Sequence, residues 1–253
     1  MQQDTISPKK KLKSEIIDFF RTAFYALFFV LFIRTIAYEP FNIPSGSMIP
    51  TLLVGDYLFV SKFAYGYSGH SLPLINIPVK GRLFFSPPER GDVVVFKLPT
   101  NTSIDYVKRL IGLPGDEIQM KNGTLYINGE AVKRERIEDY IEDKGYGVKT
   151  IYAQYIEILP NGKSHHILER SDDDMLDNTP VYKVPENHYF FMGDNRDNSE
   201  DSRVLSKVGY VPEENLVGRA DLLFFSISND SSLWQFWKWF DSVRIERLFT
   251  KIF

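Results

Sequence analysis

Ile104-Asp-Tyr-Val-Lys-Arg-Leu-Ile-Gly-Leu-Pro-Gly-Asp-Glu-Ile-Gln-Met-Lys-Asn-Gly-Thr-Leu-Tyr-Ile127 is the stretch from which the fold can be read. Short runs of β-branched and aromatic residues alternate with turn residues, the pattern of strands rather than helices. Asn122-Gly123 sits between two alternating runs and predicts a tight hairpin. Working outward, candidate strands are Tyr57–Phe63, Asp92–Lys97, Ile104–Ile111, Glu117–Met120, Thr124–Ile127, Ile151–Ile158, His188–Met192 and Leu216–Ser226. Pro160-Asn161-Gly162 marks a second, looser turn. No fixed-period repeat or low-complexity linker divides the chain. A mainly β body is expected, with no alternating βαβ order.

Composition narrows the function classes. The chain has 253 residues, of which 43% are hydrophobic and 25% charged, which suits a globular protein. Its net charge of −3 supplies no basic field, so nucleic acid is not an expected partner. The absence of cysteine excludes disulfides, thiolate metal sites and a cysteine nucleophile.

Upstream of the β body lies a different kind of segment. Lys9, Lys10, Lys11 and Lys13 precede an apolar run from Ile16 to Tyr38. Its uncharged centre, Thr22 to Ile33, is only 12 residues (33 − 22 + 1), short of the roughly 20 that span a bilayer. Yet it is apolar all round, and Arg21 and Arg34 can snorkel toward opposite interfaces. No small-residue cleavage site follows in Arg34-Thr-Ile-Ala-Tyr-Glu-Pro40, so an uncleaved transmembrane anchor is expected. The preceding lysines orient it with the N-terminus in the cytoplasm and the bulk outside.

The expected organisation is a basic tail over 1–15, the anchor over 16–38, a β core over 39–128 and 186–228, and an insertion over 129–185. The insertion reads as a solvated polar subdomain with β character. Its Asp172-Asp173-Asp174 lacks the glycine and glutamate that a calcium loop needs at its sixth and twelfth positions, where Asp177 and Lys183 stand. Residues 229–253 are aromatic and basic, with Trp234, Phe236, Trp237, Trp239 and Phe240 among Lys238, Arg244, Arg247 and Lys251. Either an interfacial helix or a terminal helix docked on the body would use such a mixture.

Three polar segments stand out for chemistry. Pro44-Ser-Gly-Ser-Met-Ile-Pro-Thr-Leu52 follows the anchor; alone it is an ordinary turn and lacks the hydrolase elbow spacing. None of the four histidines, His70, His165, His166 and His188, sits among catalytic-looking residues, which leaves lysine as the route to a serine's base. Lys108 lies in an apolar run, and alternation puts it on a face with Ile104, Tyr106 and Leu110 while Arg109 points the other way. Arginine is no base at useful pH. Lys108 becomes one if burial lowers its pKa to roughly 7–8, and from spacing alone a snorkelling surface lysine fits as well. The third segment is Gly193-Asp-Asn-Arg-Asp-Asn-Ser-Glu-Asp-Ser-Arg203, a polar loop that reads as a self-bonded support.

Taken in order, Tyr38-Glu-Pro-Phe-Asn-Ile-Pro-Ser-Gly-Ser-Met-Ile-Pro-Thr-Leu52, Tyr106-Val-Lys-Arg-Leu-Ile-Gly-Leu-Pro-Gly-Asp116 and the loop from Gly193 to Arg203 resemble the bacterial type I signal peptidases. Asp56, Arg90-Gly-Asp-Val-Val-Val-Phe96 and the stretch from Val211-Pro212 to Gly218-Arg219 extend the likeness, which covers about Tyr38–Phe225 outside the insertion. The resemblance implies a signal-peptidase/LexA-like β catalytic core and a membrane-bound serine endopeptidase. It implies removal of signal peptides from exported preproteins after small residues at the −1 and −3 positions. By motif position, Ser47 is the nucleophile and Lys108 the general base, with Ser45 and the Ser47 N–H forming the oxyanion hole. Ser199 orients the base, and Asp201, Arg203 and Arg109 support it. Ile43, Pro44, Met48, Leu52, Tyr106 and Val107 bind substrate. No metal or cofactor is implied. Partners would be preprotein signal peptides and the lipid bilayer, near the secretion translocon, at the bacterial cytoplasmic membrane. A LexA-type self-cleaving regulator would carry a DNA-binding helix pair in place of the anchor. An inactive binding domain would have no need of the Ser/Lys/Ser set.

Overall fold

In the computed structural model, described over residues 8–71, 81–143, 149–228, 237 and 242–252, one helix precedes a body of strands. Helix α1, Pro8–Ile36, is long because nothing in it breaks a helix after Pro8, and proline is tolerated in a first turn. Its apolar section, Ser14–Ile36, has 23 residues and would extend about 35 Å at 1.5 Å per residue. The short uncharged centre is therefore lengthened at both ends into a helix able to cross a bilayer by length and composition. Large apolar side chains from Ile16 to Phe32 are exposed, so no protein core accounts for them. One residue, Ala37, separates α1 from strand β1 (Tyr38–Asn42). Lys62 N–H donates to Ala37 O at 3.0 Å, and the buried Lys62 ammonium lies 2.7 Å from Glu39.

The main sheet also contains β2 (Asp56–Ser61), β3 (Val93–Leu98), β4 (Asn101–Gly112), β13 (His188–Met192), β14 (Val211–Pro212), β15 (Leu216–Ser226) and β16 (Thr250–Lys251). Its order is β1-β2-β15-β3-β4-β13-β14, with β16 on β15. Neighbouring strands pair antiparallel, for example Val94 opposite Lys108. Both faces carry apolar clusters. Val94, Phe96, Leu110 and Phe191 lie in one, and Met48, Leu52, Leu58, Val60 and Val95 in another. Mainly β with one N-terminal apolar helix is therefore the observed architecture, as the alternation predicts.

Two smaller sheets complete it. Strands β5 (Glu117–Lys121) and β6 (Thr124–Ile127) form the hairpin expected at Asn122-Gly123, where both turn residues have positive φ. They pair with β7 (Glu130–Ala131) and β12 (Tyr182–Lys183) in a four-stranded sheet of their own. Strands β8 (Lys133–Arg136), β9 (Tyr140–Asp143), β10 (Lys149–Ile158) and β11 (Ser164–Glu169) make the other sheet. Residues 129–185 are less solvated than their charge suggests: Tyr152, Glu157, His165, Ile167, Leu168 and Glu169 are all buried.

Of the aromatic C-terminal stretch, most of residues 229–241 lies outside the described residues. Residues 243–252 lie against the body and contain a 3₁₀ turn, Ile245–Arg247, and β16, which pairs with β15. Arg247 reaches the fully buried Asp56 carboxylate at 2.5 Å, and that carboxylate also accepts from Ser226 Oγ at 2.6 Å and Leu53 N–H at 2.7 Å. Removing one partner of a buried ionic cluster leaves the other uncompensated. Asp56→Ala is expected to cost about 3 kcal/mol, and Asp56→Asn less, read as a lowered urea midpoint of the detergent-solubilised protein.

Candidate active site

Residue alternation in β4 sends consecutive cations to opposite faces. Lys108 turns toward the turn that carries Ser47, and Arg109 turns into the layer behind. Lys108 Nζ donates to Ser47 Oγ at 2.6 Å and to Val107 O at 3.2 Å. Lys108 is 4% exposed and Ser47 8%, so bulk water barely reaches the pair. The Tyr106 ring lies 5.1 Å from the Lys108 nitrogen. Burial pulls the Lys108 pKa down from 10.5 to about 8, against the opposing pull of Asp201, Asp194 and Glu200. A useful fraction of neutral amine thus exists near neutral pH.

Ser47 occupies a 3₁₀ turn, Gly46–Met48, whose first N–H groups have no intrahelical acceptor by geometry. Exposed Ser45 caps the turn in extended conformation and lines the same cleft. The turn is held by the third polar segment: Asn195 N–H donates to Ser47 O at 3.1 Å, and Asn195 Nδ2 to Gly46 O at 3.1 Å.

Behind the pair, two carboxylates are each gripped by an arginine fork. Asp201 receives Arg203 Nε and Nη2, both at 2.9 Å, and Gly193 N–H at 3.0 Å. Asp194 receives Arg109 Nε and Nη2, both at 2.8 Å, and Thr51 Oγ1 at 2.5 Å. Burial would raise both aspartates, but the arginines outweigh it and hold each below its ordinary value. A third fork, Arg196 on Glu157, ties the loop to β10, while Leu168 N–H in β11 donates to Asp194 O at 2.8 Å. His165 lies beneath, 3.4 Å from Glu157 and 3.9 Å from Asp194. Burial first, and Arg109 second, depress its pKa and keep the ring neutral. It supports the loop from the insertion and does not line the cleft.

The cleft over Ser47 encloses about 560 Å³. Of the residues expected to bind substrate, Ile43, Pro44, Met48, Tyr106 and Val107 line it. Leu52 does not: it is fully buried in the cluster beneath. Phe41, Asn42, Ile104, Asp105, Asn198 and Glu200 are further lining residues, and period-two alternation could have indicated Ile104, which shares a face with Tyr106 and Lys108. A larger cavity of about 760 Å³ opens on the Arg109 side, and neither Ser47 nor Lys108 lines it.

The Ser199 hydroxyl is buried close to the Ser47 backbone; it makes no hydrogen bond to Lys108 and interacts instead with Asp201, whose pKa it helps to lower. The geometry also places a constraint on Gly193. A Cβ there would stand 2.2 Å from Ser199 Oγ and 2.5 Å from Ser47 O.

A family profile described as "Signal peptidase, peptidase S26" matches residues 16–225. The chain belongs to the signal peptidase family. The signal peptidase I of Rickettsia typhi is 40% identical, with 100% of this chain and 98% of that protein aligned. The signal peptidase I of Rickettsia canadensis is 42% identical over 88% of each chain. A crystal structure of a signal peptidase I from Enterococcus faecalis aligns at 30% identity over 53% of this chain and 97% of that one, with a TM-score of 0.31.

Two outcomes follow for this signal peptidase. Gly193→Ala should lower processing at least about a hundredfold while retaining the β signature in circular dichroism, because it displaces the backbone of Ser47. Lys108→Met should raise stability at pH 7 by about 3 kcal/mol, since the buried lysine has a depressed pKa. That gain should be complete below about pH 8 and shrink as pH rises toward 10.5, where the unfolded lysine also becomes neutral.

Proposed function

We propose that this signal peptidase works as a membrane-anchored Ser/Lys dyad protease, with Ser47 as nucleophile and Lys108 as general base. Removal of signal peptides by a serine protease is the activity of the enzyme class to which the chain belongs. The single observation that carries the finer reading is the 2.6 Å contact between a buried lysine nitrogen and a buried serine oxygen at the wall of a cleft.

Neutral Lys108 accepts the Ser47 proton as Oγ attacks the scissile carbonyl carbon. The carbonyl oxygen becomes an oxyanion, stabilised by the Ser47 N–H and the Ser45 hydroxyl; one such donor is typically worth about 3 kcal/mol. Lys108 then protonates the leaving amine, and the C–N bond breaks to give an acyl-enzyme. Water, deprotonated by Lys108, attacks the ester and releases Ser47. Asp201, Arg203 and Arg109 hold the frame around these atoms, and Ser199 stands ready to orient the amine once substrate reshapes the site. Apolar walls from Ile43, Met48 and Val107 suit small side chains at the −1 and −3 positions.

The anchor supports a bilayer location. Apolar residues around the whole circumference of α1 match lipid, and the N-terminal lysines favour a cytoplasmic N-terminus with the cleft outside. Substrates with an apolar segment in the same membrane gain effective concentration from that tether. A position at the bacterial cytoplasmic membrane, near the translocon that delivers preproteins, suits the same reading.

Ser47→Ala and Lys108→Ala should each abolish cleavage of a preprotein in a gel-shift processing assay. Lys108→Arg should be equally inactive, because charge is retained without basicity. Appreciable processing by purified Ser47→Ala protein would overturn the assignment. In wild type, kcat/KM should rise about tenfold per pH unit on the acid side and level off above about pH 8, where Lys108 becomes neutral.

A further inference from the structure

We infer that Glu200 gives the cleft a charge preference, favouring substrates that carry lysine or arginine close to the scissile bond over those that carry aspartate or glutamate. The inference rests on the dyad reading, since it concerns what that cleft admits. Its starting point is the fixed charge lining the cleft. Asp105 is neutralised by Lys97, with nitrogen to oxygen distances of 2.9 and 3.0 Å. Lys108 sits at the catalytic centre with a pKa brought low by burial. Glu200 is the remaining charged residue on the wall, and it has no ion-pair partner among the described residues.

Glu200 differs from its neighbours in the loop. Asp194 and Asp201 are buried and forked by arginines, so their charge is spent inside the protein. Glu200 lies between the buried Ser199 and Asp201, yet is itself exposed, as strand-like alternation through this part of the loop requires. Its carboxylate is not free to swing away. Oε1 accepts from Tyr106 Oη at 3.1 Å, and the same Tyr106 ring lies beside the Lys108 nitrogen. The carboxylate is therefore fixed on the cleft wall, one aromatic ring from the reacting atoms. Oε2 makes no hydrogen bond to the described residues, and Glu200 lines the cleft in which a substrate chain would lie.

A carboxylate fixed at such a rim attracts a nearby cation and repels an anion by roughly equal amounts, and the effect is screened by salt. The test uses one preprotein with lysine, glutamine or glutamate placed in turn at each position flanking the cleavage site, leaving the −1 and −3 residues small. The quantity read is the ratio of kcat/KM for the lysine and glutamate versions within one enzyme, so that overall rate differences between variants cancel. Wild type should favour lysine at one or more positions by about three- to tenfold in low salt, and less in high salt. Glu200→Gln should bring that ratio near one, and Glu200→Lys should invert it. No charge preference in wild type, or a preference unaltered in Glu200→Gln, overturns the inference. Tyr106→Phe provides a second reading: it frees the carboxylate and should blunt the preference without inverting it. Wild type that cleaves the glutamine versions while Ser47→Ala does not keeps the dyad reading intact whatever the charge ratios, so the two failures are distinguishable.

Discussion

Lowering the proton affinity of one buried lysine is the constraint on which the rest of the site depends. Burial alone drives Lys108 toward the neutral amine, but Asp201 and Asp194 pull the other way. A bare carboxylate beside it would hold the ammonium and leave Ser47 without the base we propose for it. Each of those aspartates is instead committed to an arginine, Arg203 or Arg109, through two nitrogens. The guanidinium groups cannot lose their protons at working pH, so the pairing is permanent. The loop can therefore stay polar and rigid next to the amine without fixing a proton on it.

The scaffold meets this constraint with very few strands. β4 delivers Lys108 on one face and, one residue later, the arginine that neutralises Asp194 on the other. The turn bearing Ser47 has little regular structure of its own, and it borrows rigidity from Asn195 through two hydrogen bonds. That loop in turn leans on the second sheet through Glu157, Leu168 and His165. The inserted region therefore contributes to the geometry around Ser47 and Lys108 while lying outside the cleft.

Much of this was legible in the amino-acid sequence where a local rule operates. Thr124–Ile127, His188–Met192 and Leu216–Ser226 form strands over the residues their alternation predicts, and Asn122-Gly123 turns the expected hairpin. Alternation also separated Lys108 from Arg109. What local rules missed is long-range. Glu157, His165, Glu169 and Arg196 look solvated by residue type, yet all are buried, because their charges or dipoles meet partners brought from distant strands. Nothing in Glu117–Ile127 says which sheet it joins, since pairing partners lie on β7 and β12. Leu52 was expected in the substrate pocket by its place in the family motif, but it is buried in the core cluster beneath.

The Asp56 cluster also orders events in time. Asp56 and Arg247 are 191 residues apart in the chain, and β16 reaches β15 only after Arg247 has emerged. A ribosome making this protein exposes a carboxylate destined for burial long before its cation exists. Until Arg244 and Arg247 arrive, the Asp56 carboxylate has only neutral donors, Ser226 Oγ and Leu53 N–H, so the C-terminal segment completes the charge balance of the strand that follows the serine turn.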